Sequence, residues 1–196
     1  ELSFYLRLEA QVAEKKAIAR AALRFIQPDD VFMVDASTTC VYFARALPND
    51  LHLTIVTHGA YLPVDLADRN NLQIVCTGGV LNGRSLCYHG YDAERAVQDL
   101  HAHCAFFGVK GVSLNEGCTD AALFEVRLKE SMLKGAHNLI ILADHTKLGN
   151  IGLASFAPLS RVRALITDEL ADAELVHKIR DRDVEVIVAP VALGEE

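Results

Sequence analysis

Between Val34 and Leu47 the sequence reads VDASTTCVYFARAL. A carboxylate, Asp35, closes an apolar run, and the hydroxyls of Ser37, Thr38 and Thr39 follow at the start of a helix-like pattern. The first amides of a helix lack intrahelical partners and sit at the positive end of its macrodipole, so hydroxyls placed there suit an anion such as phosphate. One Ser or Thr at the same point also serves as an ordinary N-cap, and spacing alone leaves both readings open. A second polar loop, ADHTKLGN, sets Asp144 and Lys147 just past another apolar run. There the ammonium suits a ligand phosphate, while the bland alternative is an Asp-led turn with an exposed lysine. CTGGVLNG adds Gly78 and Gly79, which allow a sharp turn or close approach of backbone to a ligand but match neither the dinucleotide nor the Walker-type glycine pattern. Glu125 and Lys129 stand four apart in DAALFEVRLKESMLKGA; they share a helical face, the usual layout of a solvated ion pair.

Seven short apolar runs, VFMVDA, LTIVTH, LQIVCTG, HCAFFGV, NLIILAD, ALITD and EVIVA, are rich in Val, Ile and Phe and of strand length. Helical patterns fall between or beside them at Glu9 to Ile26, Thr39 to Leu47, Ala60 to Ala67, Ala93 to Leu100, Asp120 to Gly135 and Ala173 to Arg182. Runs that are continuous rather than alternating imply strands covered on both faces. The expected fold class is therefore α/β, a largely parallel sheet with helices on both faces. Asp35, Thr57, Thr77, Asp144 and Asp168 all fall at or just past the carboxyl end of a run, the edge at which open α/β sheets bind ligands.

The 196 residues carry no repeat, low-complexity tract or linker-like stretch and read as one domain over 1–196. A net charge of −7 argues against a phosphodiester partner for this chain by itself. No apolar run approaches the roughly 20 residues that span a bilayer, and the first residues lack the order of a signal peptide, so the expected location is cytoplasmic. Five cysteines, odd in number and without a CxxC pair, read as reduced thiols. Cys87, His89, His101 and Cys104 match no recurring zinc spacing. Neither metal nor cofactor is expected.

EKKAIARAAL, DASTT, LTIVTHG, VCTGGVL, YHGYDAERAV, AFFGVKGV, EGCTDAALFEVRLKESML, ILADHTKLG and LITD occur together and in this order. The ordered set resembles the C-terminal sensor domain of DeoR-family bacterial transcriptional repressors from about Glu14 to Ala189. The resemblance implies a fold similar to ribose-5-phosphate isomerase, glucosamine-6-phosphate deaminase and CoA-transferases. It further implies a non-catalytic role: binding a phosphorylated sugar or polyol effector that alters DNA binding by a winged helix-turn-helix domain absent from these residues. The alternative is an isomerase or deaminase acting on the same ligand class, with Glu125 or Asp144 as general base. Carried over residue by residue, the ligand-binding candidates are Asp35, Ser37, Thr38, Thr39, Thr57, Gly78, Gly79, Glu125, Lys129, Asp144 and Lys147. Ser37 stands where the family pattern usually has Gly, and His58 where it usually has Asn. Because helix-turn-helix operators are commonly paired half-sites, a homodimer or higher homo-oligomer is expected, with Leu86, Tyr88 and Tyr91 as candidate contact residues.

The acidic balance generates the first prediction. This chain alone gives no sequence-specific gel shift even at low salt, where electrostatic attraction is least screened; a salt-sensitive shift on one defined operator refutes it.

Overall fold

The computed structural model describes residues 3–191. Two helices open it, α1 (Phe4–Glu9) and α2 (Val12–Ala22). Where the sequence pattern runs as a single helix from Glu9, the chain breaks: Ala10 is extended and Gln11 is left-handed, with φ 51° and ψ 45°. Side-chain periodicity does not report such a corner, because both helices bury a face.

All seven apolar runs form strands of one sheet. They are β1 (Val31–Val34), β2 (Leu53–Thr57), β3 (Leu72–Cys76), β6 (Ala102–Phe107), β9 (Ala136–Leu142), β11 (Val162–Asp168) and β12 (Glu185–Ala189). Their spatial order is β12-β11-β9-β6-β1-β2-β3, and each neighbouring pair is parallel. The connecting helices are α3 (Thr38–Arg45), α4 (Tyr61–Asp65), α5 (Tyr91–Ala96), α6 (Leu123–Lys134) and α7 (Ala173–Arg180).

Alternation along the central strands divides the core in two. Phe32, Val34, Cys104, Phe106, Ile140 and Ile166 face a cluster that includes Ile18 and Ala22 of α2 and Phe43 of α3. Met33, Ala105, Phe107, Ile141 and Leu165 face the other cluster, which includes Leu128 and Met132 of α6 and Ile179 of α7. Strands buried on both faces explain why the runs read as continuously apolar.

Five short strands were not legible as apolar runs. β4 (Val80–Asn82) and β5 (Cys87–His89) form a hairpin after β3. β7 (Gly111–Ser113), β8 (Gly117–Asp120) and β10 (Ala154–Ala157) form a small antiparallel sheet of order β10-β8-β7. That sheet fixes the loop after β9: the Gly149 N–H donates to the Val112 carbonyl at 2.8 Å and the Gly152 N–H to Thr119 Oγ1 at 2.7 Å. Among the described residues no helix is long and apolar enough to cross a membrane.

Candidate functional site

From β1 the chain winds outward through β2 to β3; from β6 it winds the opposite way through β9 and β11 to β12. The loops leaving β1 and β6 therefore part, and a crevice opens between them at the carboxyl edge. A cleft of about 800 Å³, counting its part open to solvent, lies against both loops, Asp35–Thr39 and Gly108–Lys110.

Its floor is built on Asp35. One carboxylate oxygen, Oδ1, accepts from the Ser37 N–H at 2.9 Å, and Oδ2 accepts from the Gly108 N–H at 2.9 Å. Lys129 reaches in from α6 and places Nζ 2.8 Å from Asp35 Oδ2, 2.6 Å from Asp120 Oδ2 and 2.8 Å from the Gly108 carbonyl. All three of its N–H groups are thus engaged, and the ammonium also lies 4.9 Å from the Phe156 ring centroid. Asp35, Asp120 and Lys129 are each buried. Burial pushes the Asp35 carboxyl up, but the Lys129 charge and its hydrogen bonds leave it below the usual carboxylate value. For Lys129, burial works against the charge while Asp120 and Asp35 outweigh it, so the ammonium is held more firmly than in water.

Around this floor stand the hydroxyl loop and several cations. Ser37 caps α3, its Oγ accepting from the Cys40 N–H at 3.3 Å. Thr38 and Thr39, also lining the cleft, occupy the first turn. Ser37 is thus the ordinary N-cap, and the hydroxyls not used by the cap are those of Thr38 and Thr39. Thr38 Oγ1 donates to the Arg7 carbonyl at 3.4 Å. Lys15 of α2 is buried and donates from Nζ to the carbonyls of Arg7 and Ala10. Burial, together with the Lys147 and Arg7 charges, brings its pKa down to about 8 against the opposing pull of Asp144 and Glu14. Asp144 caps the turn His145–Lys147: Oδ1 accepts from the Thr146 N–H at 3.0 Å, and Oδ2 lies 3.5 Å from Lys147 Nζ. Glu125 lies 3.8 Å from the Cys87 thiol, which in turn is 3.0 Å from Ser85 Oγ.

Of the residues expected at a site, Asp35, Ser37, Thr38, Thr39, Glu125, Lys129, Asp144 and Lys147 line this one cleft. Thr57, Gly78 and Gly79 do not, and each has another task. The buried Thr57 turns its Oγ1 inward to accept from the Gly59 N–H at 3.0 Å. Gly78 and Gly79, at φ 64° and 103°, make the turn into β4, and a Cβ on Gly79 would stand 2.7 Å from the His89 carbonyl oxygen. Lys129 is also corrected in its partner: it turns inward to Asp35 and Asp120 instead of forming a solvated pair along the helix. Arg7, Lys15, Ser85, Gly108, Lys110 and Asp120 line the cleft without having been singled out, and so does His58, noted from the sequence only as a departure from the family pattern. His58 and Gly108 were within reach, since each follows a strand end by a residue. Lys15 and Arg7 were not, because a lysine or arginine on an amphipathic helix ordinarily belongs to its solvent face. No group of three or more His, Cys, Asp or Glu side chains among the described residues is arranged to hold a metal ion.

The family model described as the DeoR C terminal sensor domain matches residues 10–169. An uncharacterised HTH-type transcriptional regulator of Bacillus subtilis, YulB, is 34% identical over 98% of this chain and 74% of its own length. The HTH-type transcriptional regulator GolR of Listeria innocua is 32% identical over 95% and 74%. The L-fucose operon activator of Escherichia coli is 30% identical over 85% and 68%. Among solved structures, ribose 5-phosphate isomerase A of Methanocaldococcus jannaschii superposes with a TM-score of 0.50 at 14% identity, over 68% of this chain and 53% of that one. The eIF2B beta subunit of Chaetomium thermophilum gives 0.54 at 15% identity, over 87% and 54%. These two likenesses establish the fold.

The buried ion triad generates a prediction. Lys129→Met leaves Asp35 and Asp120 without their counter-ion and costs about 3–5 kcal/mol at pH 7 by urea denaturation. It also reverses the pH response. In the unaltered chain the depressed pKa of Asp35 contributes stability that is complete above the ordinary carboxyl pKa and lost as pH falls through the folded value. In the variant the Lys129 charge no longer offsets the burial of Asp35, so acidification from pH 7 to 5 restores stability. A loss independent of pH over that interval refutes this account.

Proposed function

Since the chain belongs to the DeoR C-terminal sensor domain family, whose members serve as effector-binding parts of transcriptional regulators, we propose that its cleft takes a phosphorylated sugar or polyol. The charge layout carries this reading. Arg7, Lys15, Lys110 and Lys147 line the cleft beside the first turn of α3, and of the carboxylates there Glu125 and Asp144 are the two not tied to Lys129. A phosphate dianion against Thr38, Thr39, Lys15 and Lys147 gains charge-assisted hydrogen bonds and the end of the helix macrodipole.

The same anchor supplies a route for the response. Lys15 Nζ and Thr38 Oγ1 both hold the Arg7 carbonyl, and Tyr42 Oη donates to the Leu8 carbonyl at 3.2 Å. A phosphate competes with the Arg7 carbonyl for two of these donors. Effector binding then loosens α1 from α3, and α1 is the element nearest the position where the helix-turn-helix part of a regulator would precede this domain. An effector acts only through such a difference between two states.

Catalysis on the ligand is the weaker reading. A base must have a lone pair to offer a carbon-bound proton. Of the two carboxylates named as a base, Asp144 has Oδ1 bonded by the Thr146 N–H and Oδ2 3.5 Å from Lys147 Nζ, which leaves the reading to Glu125 alone, 3.8 Å from the Cys87 thiol.

Titration calorimetry with a panel of sugar and polyol phosphates tests the anchor. Thr38→Val with Thr39→Val weakens a phosphorylated ligand by ten- to a hundredfold, the worth of one charge-assisted hydrogen bond or a little more, and leaves its dephosphorylated parent unchanged. Near pH 8 binding also draws protons from solution, because an anion beside Lys15 raises a pKa that starts at about 8; the measured enthalpy then varies with the ionisation enthalpy of the buffer. Equal losses for ligand and parent place the phosphate elsewhere.

Self-association belongs to the same proposal. Of the three residues named for it, Tyr91 is exposed while Leu86 and Tyr88 are half-buried, and Val75, Val80 and Leu81 lie exposed on or next to the open edge strand β3. Light scattering at micromolar concentration gives more than one chain mass, and Val80→Asp with Leu81→Asp lowers it. A single-chain mass for the unaltered protein rejects the assignment.

A further inference from the structure

His58 follows β2 directly and lines the cleft together with Asp35, Asp120 and Lys129. It is 1% exposed, yet neither of its ring nitrogens has a hydrogen-bond partner among the described residues. Its backbone is not free to relieve this, since the His58 carbonyl accepts from the Tyr88 N–H at 2.7 Å and so ties the residue to β5. Folded proteins satisfy nearly all buried polar atoms, and an exception at a cleft wall calls for a bound water or a ligand to complete the set.

The chemistry required is narrow. Burial drives the imidazole pKa down to about 4, with the Lys129 charge also lowering it and the Asp35 and Asp120 charges opposing. At neutral pH the ring therefore offers one N–H donor and one bare nitrogen acceptor. Hydroxyl groups, which give and accept, match both. A carboxylate or second phosphate matches one at most, and it meets the paired carboxylates of Asp35 and Asp120, which share the single cation Lys129.

We propose that His58 is the specificity-determining residue of the cleft, reading an uncharged, hydroxylated end of the effector, so that phosphorylated polyols and sugars are taken and phosphorylated sugar acids are refused. This rests on the phosphate anchor argued above and adds what the other end of the ligand must be.

Matched probes separate the two. Four-, five- and six-carbon polyol phosphates are compared with the corresponding phosphorylated aldonates, for example glucitol 6-phosphate with 6-phosphogluconate, and with inorganic phosphate, by thermal shift and calorimetry. The pairs differ only in a terminal CH2OH against a carboxylate. At least one polyol phosphate should bind more tightly than both inorganic phosphate and its aldonate partner. His58→Leu should remove roughly tenfold of that preference, about one hydrogen bond's worth, while leaving inorganic phosphate unaffected. His58→Asn, which keeps a donor and an acceptor, should retain most of it. On binding, the ring nitrogen resonances of His58 should shift in a 15N-detected imidazole spectrum, a signal independent of whether either variant folds. The inference is overturned if aldonates bind as tightly as polyols, if His58→Leu weakens inorganic phosphate equally, or if no polyol phosphate exceeds inorganic phosphate. Absence of binding by inorganic phosphate and every phosphorylated probe is a different result, and removes the anchor itself.

Discussion

One buried ammonium organises the carboxyl edge of this sheet. Lys129 comes from a helix on one face, Asp35 from the end of β1, Asp120 from the end of β8 and the Gly108 carbonyl from the loop after β6. Taking such charges out of water is expensive, and the arrangement is tolerable because each N–H of the ammonium finds an acceptor and Asp35 also receives two backbone N–H groups. In return, the ends of β1, β6 and β8 and one helix are locked into one geometry. The cleft wall is therefore rigid before any ligand arrives, which is the condition for a site that discriminates between similar molecules.

The triad also decides how charge is distributed. With Lys129 fully engaged, the floor offers no spare cation, and the attraction for an anion falls to the side chains above it, Lys15 and Lys147 among them. The effector proposed above is accordingly polar in the sense of a dipole, negative at one end and uncharged at the other. The proposed negative end lies toward α1, which is stitched to α3 through Thr38 and Tyr42, and toward Lys15 of α2. The proposed recognition at the floor and the proposed response at the N-terminal helices thus lie on opposite sides of one cleft.

How much of this the sequence displays depends on the range of the interaction. Seven strands were visible because a strand buried on both faces must be apolar throughout, whatever its neighbours. The hairpin of Val80–Asn82 and Cys87–His89 was not, since three-residue strands with mixed burial carry no period. Asp35, Ser37, Thr38 and Thr39 could be found from the strand-to-helix junction alone, and Asp144 and Lys147 from the same logic at β9. Gly78-Gly79 satisfied the same rule and yet make a turn, because the end of the edge strand β3 lies away from the crevice between β1 and β6; β2 ends beside the crevice, but Thr57 turns its hydroxyl to the Gly59 N–H and His58, the next residue, lines the cleft. Lys129 was seen but misassigned: helical spacing offered Glu125 as its partner, and the true partners become neighbours only when the sheet closes. Lys15 was hidden for a similar reason, being a cation on a helix that turns its ammonium to the carbonyls of Arg7 and Ala10 at the end of α1.

Gly108 approaches Ser37 so closely that a Cβ built upon it would lie 2.4 Å from Ser37 Oγ and 2.5 Å from Ser37 Cβ. No rotamer of the serine relieves the second contact, because a Cβ does not rotate. Positions 37 and 108 are consequently a mutually exclusive pair: a side chain at either excludes one at the other. With this backbone, serine at 37 is compatible only with glycine at 108, and alanine at 108 only with glycine at 37, so a variant library that samples the two positions independently loses most of its members to this one contact.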